Sequence, residues 1–171
     1  LALMAYDMDR IRRFASVSPQ EEELLTAPSR PIVILEKKLP NSIAPDVSPH
    51  HRNFGVMLPY TPLHYLLIDS DLAALVMTSG NPRQEPIVID NGDAFNRLGS
   101  IADYFLIHDR DIYLRADDSI VRHIDKKPRM MRHARGYAPS PLYLKRSYPQ
   151  ILACGAETAN TVCLTKGTRA F

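Results

Sequence analysis

A chain of 171 residues suits one domain with room for part of a second, and its ordinary apolar share can fill a real core. A formal charge of +2 is too small to argue for nucleic acid, and no run nears the roughly 18 apolar residues of a membrane span. Fourteen prolines, gathered in connections, exclude long helices.

Leu1 to Ala5 reads as a strand, after which Asp7 caps a short helix through Phe14. Ser18-Pro19-Gln20-Glu21 predicts a second helix start, with a capping Ser, Pro at the first position and Glu closing a capping box. Pro31 to Leu35 follows as a buried strand, then a loop from Pro40 to Asn53. Phe54 to Leu58 is the next strand, Pro62 to Ile68 a short helix, and the run ending at Met77 another strand. A helix over Asp93 to Leu98 and a strand over Tyr104 to His108 come next. Asp118 to Ile124 and Arg129 to His133 read as paired strands around an Asp125-Lys126-Lys127 turn. Strands alternating with short helices predict an α/β or mixed α+β sheet.

Pro139-Ser140-Pro141 and Lys145-Arg146-Ser147-Tyr148-Pro149 have linker composition. Ile151 to Cys154, a turn over Gly155 to Thr161, and Val162 to Thr165 then predict a strand, turn and strand. Basic residues crowd between Arg110 and Arg146, which suits ATP or an RNA backbone, or a solvated face. Cys154 and Cys163 have neither metal-ligand spacing nor a disulfide framework, which suits a reducing cytoplasm. No signal peptide is visible, and the chain is expected to be cytoplasmic. It opens and closes inside apolar runs, and so reads as an excerpt from a longer polypeptide.

The stretch Thr78-Ser79-Gly80-Asn81-Pro82-Arg83-Gln84-Glu85-Pro86 carries the most chemistry. It follows the apolar run Ala73 to Met77, so its hydroxyls and amide lie at the carboxyl end of a strand, where open α/β sheets hold ligands. An ordinary Asx-type turn is the alternative. Ser79, Asn81, Arg115, Ser119 and Arg132 are suitable residue types for binding phosphates and a small acid. Arg115 is equally suited to pairing with Asp117 or Asp118 at the surface. Adjacent carboxylates on a strand point to opposite faces, so Asp117 and Asp118 are not read as a joint metal site. His64 fits either a satisfied buried His or a general base, and Thr61 a helix cap.

Four further segments add to this stretch: Gly55 to His64 (GVMLPYTPLH), Arg115 to Arg122 (RADDSIVR), Arg132 to Pro139 (RHARGYAP) and Gly155 to Thr161 (GAETANT). In order and spacing the set resembles the HypF family of hydrogenase maturation carbamoyltransferases. The resemblance covers the YrdC-like domain, without its first part, and the first strands of the Kae1-like domain.

It implies a YrdC-like twisted open sheet flanked by helices over 1–139, a linker over 140–150, and the opening hairpin of an actin-like ATPase (Kae1-like) domain over 151–171. By resemblance Ser79 and Asn81 fall on the Ser-x-Asn signature, Ser119 on the later strand Ser and Arg132 on the Arg ending the next strand. Those positions contact ATP or the small acid in the family, and Thr61 borders the nucleotide pocket. Ser79, Asn81, Ser119 and Arg132 are expected to line one concavity. Gly155, Glu157, Asn160 and Thr161 would form a phosphate-facing turn.

The implied reaction uses ATP, with magnesium as counter-ion, and carbamoyl phosphate. It forms a carbamoyl-adenylate and passes the carbamoyl group to a C-terminal Cys of the partner HypE, for the cyanide ligands of nickel–iron hydrogenase. Zinc or iron would belong to parts of the family outside this segment. Two departures stand out: Arg83-Gln84 replaces the usual Ser-Gly, and Ala159 replaces a Lys. Two alternatives remain at this stage, a threonylcarbamoyl-adenylate synthase of tRNA modification and a double-stranded-RNA-binding module of YrdC type.

Overall fold

Period-two alternation builds the larger sheet. In the computed structural model, which describes residues 1–68, 71–155 and 161–171, strand β1 (Ala2–Met4) sends Leu3 to one face and Met4 to the other. Strands β3 (Ile32–Lys37) and β4 (Asn53–Met57) do the same. Val33, Leu35, Phe54 and Val56 join Leu3, while Ile32 and Met57 join Met4. All are buried, so the centre of the sheet is covered on both faces.

Helices α1 (Met8–Phe14) and α2 (Pro19–Thr26) supply Ile11, Phe14 and Leu25 to the first of these clusters. Asp7 caps α1 by accepting from the Arg10 N–H at 2.8 Å. The expected capping box of Ser18 and Glu21 opens α2, with Pro19 in its first turn. The Phe14 ring meets Phe54 edge-on at 6.0 Å. Truncating such a buried ring to Ala costs about 3–5 kcal/mol.

The backbone divides into two compact units. The first comprises Leu1–Thr78 and Asp118–Tyr137. It holds a seven-stranded mixed sheet in the order β5 (Leu75–Met77), β1, β4, β3, β6 (Ile120–Ile124), β7 (Lys127–Arg132), with β2 (Ala15–Ser16) pairing on β3. β1–β4 and β3–β6 are parallel; the other neighbours are antiparallel. Helix α3 (Pro62–Leu67) follows β4. Asp125 and Lys126 adopt φ values of 51° and 61°, the left-handed pair that a two-residue hairpin turn requires.

The second unit comprises Ser79–Asp117 and Ala138–Phe171. It contains α4 (Asn91–Leu98), capped by Asp90, and a three-stranded antiparallel sheet in the order β8 (Leu142–Tyr148), β10 (Val162–Ala170), β9 (Leu152–Cys154). The expected hairpin is therefore present as β9 and β10. Two readings need correction. The segment 140–150, read as a linker, contains β8: its Leu and Tyr residues suit a strand, and β10 supplies the ladder that composition could not reveal. Tyr104 to His108, read as a strand, is irregular. Phe105 packs on Phe95 of α4 at 5.0 Å, but Tyr104 is 93% exposed and the run gains no neighbouring strand. None of the helices formed by the described residues is long and apolar enough to cross a membrane.

Candidate functional site

A cleft of about 600 Å³ opens in the first unit between two loops. Pro28 and Arg30, after α2, form one wall; Pro59, Tyr60, Thr61 and Pro62, together with Tyr65 of α3, form the other. Each wall has a local cause. Thr61 caps α3 by accepting from the His64 N–H at 3.3 Å, and Pro62 takes the first helical position. The Tyr65 hydroxyl reaches back to the Pro59 carbonyl at 3.5 Å. On the opposite wall Arg30 has a φ of 42° and donates from Nη1 to the Leu25 carbonyl at 3.1 Å.

Arg135 joins the two walls from behind. Its Nε donates to Asp118 Oδ1 at 2.8 Å, Nη2 to the Arg30 carbonyl at 2.8 Å and Nη1 to the Ser29 carbonyl at 3.2 Å. Its guanidinium lies 3.5 Å from the Tyr60 ring centroid, and Tyr60 meets His64 edge-on at 4.4 Å. Such a planar fork can serve three acceptors and an aromatic face at once, which an ammonium cannot. Beside it Gly136 has a φ of 84°, and a Cβ there would lie 2.5 Å from the Ser29 oxygen. Only glycine permits that approach.

The electrostatics follow from this packing. Burial raises the Tyr60 phenol above its ordinary value; Asp118 adds to the effect and Arg135 opposes it. Burial, then the Arg135 charge, lowers the His64 imidazole below 6.5, while Asp118 pulls the other way. The shift favours the neutral imidazole, and the buried Nδ1 of His64 has no hydrogen-bond partner among the described residues.

The residues singled out from the sequence fall in both units. In the first, Thr61 lines the cleft. Ser119 is wholly buried; its hydroxyl donates to the Arg135 carbonyl at 2.9 Å and accepts from the Ala134 N–H at 2.8 Å. Arg132 is exposed at the end of β7, opposite Ile120.

In the second unit Ser79 is exposed. The Asn81 amide nitrogen donates to the Pro82 and Glu85 carbonyls, both at 2.9 Å, so the loop is closed through the nitrogen and not through the oxygen that an Asx turn uses. Asn81 Oδ1 is buried without a partner among the described residues. Arg97 of α4 fastens the same loop through Glu85 at 2.7 Å. Asp118 pairs with Arg135, while Arg115 donates to the Ile87 carbonyl at 2.6 Å, so the suggested Arg115–Asp118 pairing is replaced by these two contacts. Gly155 donates its N–H to the Thr161 carbonyl at 3.2 Å, whereas Glu157 and Asn160 lie outside the described residues.

Sequence reading selects Arg132 from the segment Arg132 to Pro139 and passes over Arg135, as it passes over Arg30 and Tyr60. The available signal was Arg135-Gly136: a glycine beside a cation, marking a close backbone approach.

The family model for Sua5, YciO and YrdC proteins, described as telomere recombination, matches residues 1–134. The chain belongs to this family. Within the Sua5/YciO/YrdC proteins its likeness is to HypF, as the motifs indicate. It is 42% identical over 99% of its length to carbamoyltransferase HypF of Rhizobium leguminosarum bv. viciae, covering 23% of that protein. It is likewise 42% identical over its full length to carbamoyltransferase HypF of the Synechocystis strain PCC 6803, covering 22% of that protein. Full-length HypF solved in its phosphate- and nucleotide-bound form superposes with a TM-score of 0.90 at 45% identity, over 99% of this chain and 27% of that one. The T. kodakarensis HypF structure gives 0.90 at 43% identity, covering 99% of this chain and 22% of that one. The chain thus spans about a quarter of the length of these relatives.

Proposed function

We propose that this chain is the part of a HypF-type carbamoyltransferase that forms a carbamoyl-adenylate. The observation that carries the reading is its superposition, at 45% identity over 99% of the chain, on a HypF solved with phosphate and nucleotide. Water hydrolyses carbamoyl phosphate to carbamate and inorganic phosphate, and a carbamate oxygen then attacks the ATP α-phosphorus and expels pyrophosphate. A cysteine thiolate of HypE then attacks the carbamoyl carbon and AMP leaves. In this scheme residues 1–139 carry the adenylation, and 151–171, with β8 of the preceding segment paired on β10, open the Kae1-like domain that completes the transfer in the cytoplasm.

Positioning and electrostatics carry such chemistry, because the phosphates need cations and the adenylate must be kept from water. Arg132, Ser79 and Asn81 are assigned to ATP and the small acid, and Thr61 to the nucleotide side. Among the described residues no three His, Cys, Asp or Glu side chains gather in one place. Magnesium is assigned to the triphosphate oxygens and water, in keeping with its reluctance to dehydrate.

The test is carbamoyl-phosphate-dependent exchange of pyrophosphate into ATP by the full-length protein. Arg132→Ala removes one charge-assisted contact to the ligand, worth about 1.5–3 kcal/mol, and should lower exchange roughly 10- to 100-fold, more than it lowers folding stability. Normal exchange would remove Arg132 from the site. Exchange driven by threonine and bicarbonate instead would replace this reading with threonylcarbamoyl-adenylate synthesis.

A further inference from the structure

We propose that Arg135 is the positioning residue of the cleft: it holds the Tyr60 wall and the Arg30 wall at a fixed separation, so that the cleft is formed before anything enters it. The proposal deepens the reading above and rests on it for the identity of the substrate.

Arg135 does not line the cleft. It acts through residues that do: Nη2 holds the Arg30 carbonyl at 2.8 Å, and the guanidinium plane lies 3.5 Å from the Tyr60 ring. Asp118, bound to Nε at 2.8 Å, fixes the rotation of the fork about its long side chain. Arg135 itself is held from the main chain, because Ser119 Oγ accepts from the Ala134 N–H and donates to the Arg135 carbonyl. Gly136 lets the chain pass close enough to Ser29 for Nη1 to reach its carbonyl at 3.2 Å.

The side chains of Arg135 and Asp118 are 21% and 25% exposed, so water competes only partly for these bonds. A wall set by four contacts to one rigid group loses its position when the group changes shape, even if the charge stays. Lys at 135 keeps the attraction to Asp118 but cannot span both carbonyls and stack on the ring.

The experiment compares full-length wild type, Arg135→Lys and Arg135→Ala in two readouts. Hydrogen exchange should show residues 29–32 and 60–66 deprotected about 10-fold or more in both variants, while β1 and α1 keep their protection. In the exchange assay KM for carbamoyl phosphate or ATP should rise about 10-fold or more, with kcat within about 3-fold, and Lys should not rescue it. Unchanged protection, equal deprotection throughout the first unit, local deprotection without a KM change, or rescue by Lys would each overturn the proposal. If the wild type shows no exchange with carbamoyl phosphate, the functional reading fails; local deprotection alone then supports the Arg135 role, and its absence overturns it.

Discussion

Gly136→Ala offers a sharp measure of how closely the first unit is built. At a φ of 84° an added Cβ would lie 2.5 Å from the Ser29 carbonyl oxygen, 2.8 Å from its Cα and 2.9 Å from its Cβ. Two of those three atoms are backbone, so relief requires moving the chain. Gly167→Ala in β10 is the control, because its φ is 62° but no atom lies within 4 Å of the new Cβ. Both substitutions incur the left-handed cost for an L residue, about 1–2 kcal/mol. Both recover about 0.4–1 kcal/mol from the lower entropy of the unfolded chain. Only Gly136→Ala adds overpacking, about 1–3 kcal/mol.

The expected losses are therefore about 0–1.6 kcal/mol at 167 and about 1–4.6 kcal/mol at 136, the two differing by the overpacking of about 1–3 kcal/mol. Native-state hydrogen exchange reads each site within the same chain. Amides of β6 and β7 should lose roughly 5- to 150-fold more protection in Gly136→Ala than those of β8 and β10 lose in Gly167→Ala. Equal losses would refute the close approach to Ser29 and leave only backbone conformation at both sites.

Ser119→Ala should destabilise the first unit by about 1–3 kcal/mol, because it leaves the partly buried Ala134 N–H without its acceptor; an unchanged urea midpoint would show that another acceptor replaces the hydroxyl. His64 gives a pH signature of known sign. Its folded pKa lies below the 6.5 of the unfolded chain, so between the two values only the unfolded chain binds the proton. The related stability is complete above pH 6.5 and declines as pH falls from 6.5 to the folded pKa. His64→Gln should abolish that decline, measured as the urea midpoint between pH 5 and 7.5; parallel curves for the two proteins would refute the lowered pKa.

What could be read from the sequence, and what could not, divides by range along the chain. Asp7, the Ser18–Glu21 box and Thr61 act on N–H groups three residues away, so residue type and spacing are sufficient to place α1, α2 and α3. The left-handed turn at Asp125 and Lys126 is equally local. β8 depends on β10, whose paired residues stand 19 or more positions away, and no local pattern reports whether that partner exists. Tyr104 to His108 shows the converse: a strand-like pattern to which the fold supplies no ladder.

The same division explains the site. Residue chemistry identifies Ser119 as a hydroxyl able to bind a small acid, but cannot say that Arg135 and Ala134 already claim both its donor and an acceptor lone pair. Arg135 reaches Ser29 and Arg30 across more than 100 residues, so its importance is invisible to spacing. A glycine is the one local trace of such an approach, since its missing Cβ is needed wherever two backbones meet. Gly136 leaves that trace next to the arginine that joins the walls. Residues that select a ligand must face the cleft, but the residue that sets the cleft's width need only grip the chain behind it.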